Sequence, residues 1–159
     1  MALQKTDIAT NQQTLNARYL NDGKNETGDL KFAFPVYTTT GLEAAADIID
    51  IIQLPVGSMF IPSLSRVSSE ACGGTGFAIN TIGDGVAGTN ATVSANRYSA
   101  TAIALVSALA SAITEAAANA AIPYATTAAD NTLKAVLGLT SGTVTAGKKV
   151  QFVIAYRLP

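Results

Sequence analysis

The chain has 159 residues, a formal net charge of −1 and a charged fraction of only 13%. This length suits a single domain with a substantial core, and the balanced charge excludes a basic surface that would bind a nucleic-acid backbone directly. The sequence has neither the apolar core of a signal peptide nor a run of about 18 apolar residues, so we expect a soluble protein, made in a cytoplasm, with no membrane partner.

The first 29 residues are rich in Asn, Gln, Thr and Gly, with apolar residues only at scattered positions. Such a segment cannot bury enough apolar surface to order itself. We therefore predict an extended N-terminal arm over residues 1–29, either disordered or laid on another surface, and a folded domain over residues 30–159.

Strand patterns begin at Leu30, where LKFAFPVYTT alternates and Pro35 indicates an edge strand or a bulge. The next stretch, DIIDIIQLPVG at 47–57, fits either one face of a helix or a short buried strand. Its apolar run is too short for a helix, its isoleucines are β-branched, and Pro55 and Gly57 end it. We therefore predict a central strand that is apolar on both faces.

The remaining strand patterns are separated by short turns rich in Gly, Asp and Asn. They are SMFIPSLSRVSS at 58–69, GFAINTIGDG at 76–85, IPYATT at 122–127, TLKAVLGL at 132–139 and KKVQFVIAYRLP at 148–159. The alanine-rich segment from Thr101 to Ala121 has helical spacing and predicts one helix, with a strand around Thr101–Ser107 as the alternative. Together these patterns predict an all-β antiparallel sandwich of about eight strands with one short Ala-rich helical insert.

The residue types argue against an enzyme. There is no histidine, which removes the usual general base and the commonest zinc ligand. Cys72 has no basic neighbour, and we interpret it as an apolar filler. Asp47 and Asp50 point to opposite faces of a strand, so we expect one to be solvated and the other to be hydrogen-bonded at the end of the sheet. We predict an Asp-Gly turn at Asp84. No cofactor or metal is expected.

Arg97 and Tyr98 are adjacent, and the pair is either an ordinary surface pair or an anchor at a sheet edge or interface. The ordinary surface pair is the more common case. The sequence alone leaves both interpretations open.

The ordered series DIIDIIQLPVG, SMFIPSLSRV, FAINTIGDG, NRY, PYATTAADNTLKAVL and TAGKKVQFVIAYRL resembles the small jelly-roll cement or decoration proteins of tailed bacteriophage capsids. The resemblance spans roughly residues 30–158 and departs from the pattern in the alanine-rich insert. It implies a non-enzymatic jelly roll on the outer surface of an icosahedral virion. Such a protein binds the major capsid protein of the same phage and assembles with itself as a homodimer or homotrimer.

On this reading the N-terminal arm orders on the capsid or on a neighbouring protomer by β-augmentation, because its polar amide residues suit backbone pairing. The candidate contact residues are Leu3, Ile8, Leu15, Arg18 and Tyr19. The alternative is a carbohydrate- or receptor-binding jelly-roll module of a phage tail or fibre. Sugar platforms usually present flat aromatic rings, and this chain has no tryptophan. A third reading, an enzyme on a β-sandwich, lacks a carboxylate pair at a convincing spacing.

Overall fold

The computed structural model describes residues 3–5, 30–92, 94–113 and 125–158, and the regular secondary structure of these residues is nearly all β-strand. The strands, in chain order, are β1 (Leu3–Lys5), β2 (Leu30–Ala33), β3 (Val36–Thr38), β4 (Ile48–Gln53), β5 (Met59–Phe60), β6 (Arg66–Ser69), β7 (Gly73–Thr75), β8 (Ala78–Gly85), β9 (Ser94–Ser99), β10 (Ile103–Ala104), β11 (Leu109–Ala112), β12 (Thr132–Gly138), β13 (Ser141–Val144) and β14 (Lys149–Arg157). One 3-10 helix, Pro62–Leu64, lies between β5 and β6.

The strands form two main sheets and one small one. In the first sheet the order is β1-β4-β12-β8-β10, with β9 also paired to β8. In the second the order is β11-β6-β14-β2, with β3 and β5 also paired to β14. Strands β13 and β7 make the small sheet. Among the described strands, β1 and β4 pair in parallel and the other pairs are antiparallel. The prediction of an antiparallel all-β sandwich is confirmed, whereas the jelly-roll connectivity stays a prediction.

The core contains alternate residues of both main sheets. On β14 the predicted inward positions Val150, Phe152 and Ile154 are fully buried, and on β12 so are Leu133 and Leu137. Each such side chain contributes about 1.5–3 kcal/mol when it leaves water. The alternation read from the sequence of these two strands therefore gives their inward faces correctly.

Strand β4 confirms the strand interpretation of DIIDIIQ and corrects its position. Its four isoleucines are all buried, so both faces of the strand are covered as predicted. The strand is not central, however, because β12 lies on one side of it and only the three residues of β1 lie on the other. The longer strands β12 and β14 lie at the sheet centres instead.

The helix predicted for the alanine-rich segment is wrong where the structure describes it. Ile103–Ala104 pairs with β8, and Leu109–Ala112 pairs with β6. Strand pairing with preformed neighbours outweighs the helix propensity of alanine, which is a weak preference. The alternative strand near Thr101–Ser107 is close to what is observed. Residues 114–121 of the predicted helix lie outside the described residues.

Pro35 interrupts the first strand pattern, as predicted. The chain leaves β2 after Ala33 and resumes as β3 at Val36, and the carbonyl of Pro35 accepts a hydrogen bond from the amide of Phe152. Two of the Gly-containing connections between the predicted strands also form strands, β7 and β13, which pair with each other. The boundary between arm and domain at residue 29 stays a prediction, because residues 6–29 lie outside the described residues.

Candidate contact surface

Three large apolar side chains project outward from β2 and the residue that follows it. Leu30, Phe32 and Phe34 alternate along the chain and are 45%, 48% and 56% exposed. Strand β2 ends the order of the second sheet, so these residues line one of its edges. We call Leu30, Phe32 and Phe34 the β2 patch. Edge strands with large exposed apolar residues mark contact surfaces in soluble proteins.

Pairing with β14 explains why this face of β2 points outward. Lys31 lies opposite Tyr156 and Ala33 lies opposite Ile154, and both partners belong to the core face of β14. The small Ala33 packs against the core, so the large residues on either side of it must face away. The sequence pattern showed that the large residues share a face, and the structure shows that this face is the outer one.

Among the described residues, the other large exposed apolar side chains lie in connections or in the 3-10 helix. They are Leu42, Val56, Leu64, Val86 and Val106. Single exposed apolar residues are ordinary on protein surfaces and need no special role. The β2 patch differs because its three residues alternate along β2 and the residue that follows it, and so share one face.

The five predicted contact residues are not brought together in the described part of the chain. Leu3 lies on β1, with its Cα paired to that of Ile48 in parallel register. Ile8, Leu15, Arg18 and Tyr19 lie outside the described residues. Sequence reasoning missed the β2 patch, although the alternation of Leu30, Phe32 and Phe34 was visible.

A fully buried ion pair joins β4 to β12. Lys134 lies opposite Asp50 in the register, and its Nζ contacts Asp50 Oδ1. Both side chains are 0% exposed. Lys134 Nζ also donates to the carbonyl of Thr89 at 2.9 Å, and the amide of Gly88 donates to Asp50 Oδ2 at 2.9 Å. The expectation that Asp50 is a polar group at the end of a sheet is wrong, because the loop at Gly88 and Thr89 covers the pair.

Glycine at position 85 makes room for the buried lysine. A Cβ atom on Gly85 would lie 2.7 Å from Cε of Lys134 and 2.6 Å from the carbonyl oxygen of Ala91. Any larger residue would push the lysine stem or the covering loop away. Gly85 therefore has a packing role as the last residue of β8, and the turn predicted at Asp84-Gly85 does not form.

Asp47 is also buried, at 1% exposure, so neither carboxylate of the DIID stretch is solvated as one was expected to be. Its Oδ2 accepts a hydrogen bond of 2.9 Å from the amide of Ala44, which closes the turn before β4. Next in that turn, Ala46 has a φ of 66°. This left-handed conformation is unfavourable for a residue with a Cβ atom.

A second charged cluster joins β8, β9 and the turn before β12. Arg97 Nε lies 2.8 Å from Asp84 Oδ2, and its terminal nitrogen lies 3.7 Å from Asp130 Oδ2. Burial raises the pKa of Asp84 to about 6, although Arg97 and Tyr98 lower it. Tyr98 is buried with its ring edge against Phe60 at 4.9 Å between centroids. The Arg97-Tyr98 pair is thus an internal anchor of the sandwich.

Glu43 closes the loop after β3. It accepts hydrogen bonds from the Tyr37 hydroxyl at 2.5 Å, from the Thr40 amide at 2.5 Å and from the Gly41 amide at 2.9 Å. Burial alone would raise the pKa of Glu43, but these donors lower it below its usual value. The same burial and the nearby carboxylate raise the pKa of Tyr37. These hydrogen bonds to the Glu43 carboxylate hold the loop in place, so Glu43 has a structural role.

Cys72 is buried, and burial raises the pKa of its thiol to about 11. A thiol with so high a pKa is a poor nucleophile at neutral pH, which agrees with its interpretation as a filler. Among the residues that the structure describes, no three His, Cys, Asp or Glu side chains come together to hold a metal ion. In the same residues no helix is long and apolar enough to cross a membrane.

Comparison with known proteins gives two structural likenesses. A chain of "Capsid of Ralstonia phage GP4" superposes with a TM-score of 0.71 at 18% identity and covers 99% of both chains. A chain of "Cyanophage Pam1 capsid asymmetric unit" has a TM-score of 0.52 at 20% identity, with 86% of this chain and 90% of that chain covered. The fold is shared. No family model and no curated protein sequence matches the chain.

Proposed function

We propose that this chain is a non-enzymatic structural protein of a phage virion, which binds the outer surface of an icosahedral capsid and cements neighbouring major capsid subunits. The observation that carries the proposal is the likeness over 99% of both chains to a chain of the Ralstonia phage GP4 capsid. The Pam1 capsid chain gives independent support at lower similarity. Both likenesses extend over most of the two chains compared, so they are not confined to one part of the fold.

The chemistry of the described residues suits a scaffold that contacts other proteins. Its buried charges are engaged internally, by Lys134 with Asp50 and by Arg97 with Asp84. The β2 patch instead leaves apolar area on the surface, where a capsid subunit would cover it. Small contacts of this kind hold a shell when a symmetric oligomer makes several at once, because the second contact forms at high effective concentration.

Cementing follows from mass action. A protein that binds the assembled lattice, and not its free subunits, shifts the equilibrium toward the intact shell. The proposed partners are therefore the major capsid protein and further copies of this chain. The proposed location is the outer capsid surface after synthesis in the host bacterial cytoplasm. The arm residues Leu3, Ile8, Leu15, Arg18 and Tyr19 are proposed as a second set of contacts, with the capsid or with a neighbouring protomer.

Binding to capsids that lack this protein tests the proposal. We expect saturable co-sedimentation with the shells at a fixed ratio to the major capsid protein, measured by quantitative mass spectrometry. Saturation at a fixed ratio is required because cement proteins occupy equivalent lattice positions. A protein that stays in the supernatant, or that binds without saturating, would overturn the proposal.

Substitutions test which residues make the contact with the capsid. Changing both Phe32 and Phe34 to threonine removes the rings while keeping residues that favour strands, and it should abolish occupancy. The matched control changes Leu42 and Val56, which are exposed apolar residues outside the patch, to threonine as well. It should leave occupancy unchanged. Replacing Leu15, Arg18 and Tyr19 by serine should also lower occupancy.

One observation favours a second candidate, a carbohydrate-binding module of a tail or fibre. Phe32 and Phe34 are half-exposed rings, which a sugar face can stack on. Yet Phe32 lies opposite Ala155, whose methyl group gives a sugar hydroxyl no hydrogen bond. A glycan-array signal that is lost in the phenylalanine variants, together with no capsid binding, would favour this candidate.

A further inference from the structure

Strand β9 is joined to the first sheet by an irregular pairing. Ser99 of β9 lies opposite Ile82 of β8, and Ser94 lies opposite Asp84, so five steps along β9 match only two along β8. The extra residues of β9 include Arg97. Among the described strands, β9 pairs with β8 alone. Because this bulge interrupts the backbone ladder, side-chain contacts decide how firmly β9 is held.

Asp84, Arg97 and Asp130 form a polar contact that joins β9 to β8 and to the turn before β12. The guanidinium of Arg97 contacts both carboxylates, with 2.8 Å from its Nε to Asp84 Oδ2 and 3.7 Å from its terminal nitrogen to Asp130 Oδ2. The side chains of Arg97, Asp84 and Asp130 are 17%, 0% and 5% exposed. With both carboxylates ionised, the three groups carry one excess negative charge, which burial makes unfavourable. A single bound proton removes this excess.

The two carboxylates differ in their hydrogen-bond donors. Asp130 Oδ1 accepts hydrogen bonds from the amide and the hydroxyl of Thr127, at 2.7 and 2.6 Å. Among the described residues, neither oxygen of Asp84 has a hydrogen bond of good geometry, so Arg97 is the main group that offsets its charge. Hydrogen-bond donors favour the ionised form of a carboxyl group. The proton therefore binds to Asp84, and Asp130 stays ionised.

The surroundings of Asp84 fix the direction of the pH effect. Burial raises the pKa of Asp84 from its usual 3.8 to about 6, Arg97 and Tyr98 of β9 lower it, and Asp130 raises it. The buried lysine of the adjacent strand β12 contacts Asp50 instead. Because the pKa is raised on folding, the folded chain binds the proton more tightly than the unfolded chain does. The resulting stabilisation is complete below about pH 4 and is lost as the pH rises through about 6.

From this arrangement we infer that Asp84, Arg97 and Asp130 form a proton-binding site that makes the packing of β9 against β8 stronger at mildly acidic pH than at neutral pH. Any opening of β9 that exposes Asp84 to water releases the bound proton, so acid favours the closed form. At neutral pH the proton is absent, and the excess buried charge favours opening. The inference does not depend on capsid binding and is tested on the free protein, where its outcome is separate from that of the proposed function.

Urea denaturation at several pH values measures this linkage. Asp84→Asn keeps the size of the side chain but cannot ionise. Between about pH 4 and about pH 8, the unfolding constant of the unaltered protein should rise roughly 50-fold relative to that of Asp84→Asn, since the other titrating groups are common to both proteins. A ratio of the two constants that does not change with pH would overturn the inference.

Carboxyl titration by ¹³C NMR tests the cluster in the unaltered protein, without relying on the folding of a variant. We expect a pKa of about 6 for Asp84. Asp130→Asn removes a like charge and should lower this pKa, whereas Arg97→Gln removes the cation and should raise it. A pKa of about 4 or below, or one that neither substitution moves, would contradict the proton-binding site.

Hydrogen exchange tests whether the effect is located at β9. After correction for intrinsic exchange rates, the protection of the β9 amides should fall between about pH 5 and about pH 8, relative to the same amides in Asp84→Asn. The amides of β11, an edge strand of the other main sheet, are the matched control and should show no such change. Equal changes in β9 and β11 would show that the proton acts on the whole fold and not on the packing of β9.

Discussion

Two strands in different sheets, β4 and β2, are built in opposite ways. At β4 a lysine and an aspartate are fully buried, whereas at β2 two phenylalanines and a leucine are about half exposed. Burying two charges costs several kcal/mol before their pairing offsets it. Leaving apolar rings in water forgoes part of the roughly 1.5–3 kcal/mol that each would contribute. The charged groups at β4 are thus paired within the chain, whereas the exposed apolar side chains at β2 can still be buried by a partner.

The largest effect expected from this contrast is at Lys134. Lys134→Ala leaves Asp50 buried without its cation and should lower the free energy of unfolding by about 3–5 kcal/mol. Urea denaturation of the free protein measures it. The control Lys149→Ala, at an exposed lysine on β14, should change it by about 0.5 kcal/mol or less.

A double variant separates the cost of an orphaned charge from the loss of packing. Asp50→Leu combined with Lys134→Met removes both charges and should recover most of the stability lost in Lys134→Ala. If Lys134→Ala lowered the free energy of unfolding no more than Lys149→Ala does, the stability of the fold at β4 would not depend on the buried pair.

Substitutions in the β2 patch should change the free energy of unfolding much less than Lys134→Ala does. Changing Phe32 and Phe34 to threonine should alter the free energy of unfolding by about 1 kcal/mol or less, since the rings are half exposed and threonine also favours strands. Phe152→Ala, at a fully buried ring, should cost about 3–5 kcal/mol in the same assay. A large loss in the threonine variant would mean that the patch belongs to the fold and not to a contact surface.

The smallest effect concerns the turn that leads into β4. Ala46→Gly should raise the free energy of unfolding by about 1 kcal/mol or less, because glycine adopts the φ of 66° without strain. Thermal denaturation followed by circular dichroism measures it. Ala44→Gly is the control, since Ala44 lacks a positive φ and gains only backbone freedom in the unfolded chain. Equal shifts in both variants would contradict the assignment of strain to Ala46.

The sequence predicts the strands of this fold better than it predicts which side of them is buried. Alternation in β14 and β12 identifies their inward residues, because a long row of apolar residues on one face of a strand is buried in the core. In β2 the same alternation identifies a shared face but not its direction. That direction follows from the pairing of Ala33 with Ile154, a contact between residues far apart in the sequence.

The buried charges could not be predicted from local pattern. Asp50 and Lys134 are 84 positions apart, and only the register between β4 and β12 brings them together. Asp50 does lie within a strand whose two faces are both largely apolar, and a charge in such a strand is a signal that can be sought. The helix predicted for the alanine-rich segment is wrong for another reason. Pairing with β6 and β8 determines the structure of this segment, and the helix propensity of alanine does not.

The position of β14 has a consequence for how the protein is made. Strands β2, β3, β5 and β6 all pair with β14, although they precede it by half of the chain or more. Until the ribosome has made the strand that begins at Lys149, these segments have no common partner, and the β2 patch and its neighbours stay open to other chains. Folding that waits for distant pairings is slow and exposed to aggregation. Rapid synthesis at high copy number would therefore place the greatest demand on chaperones during the interval before β14 emerges.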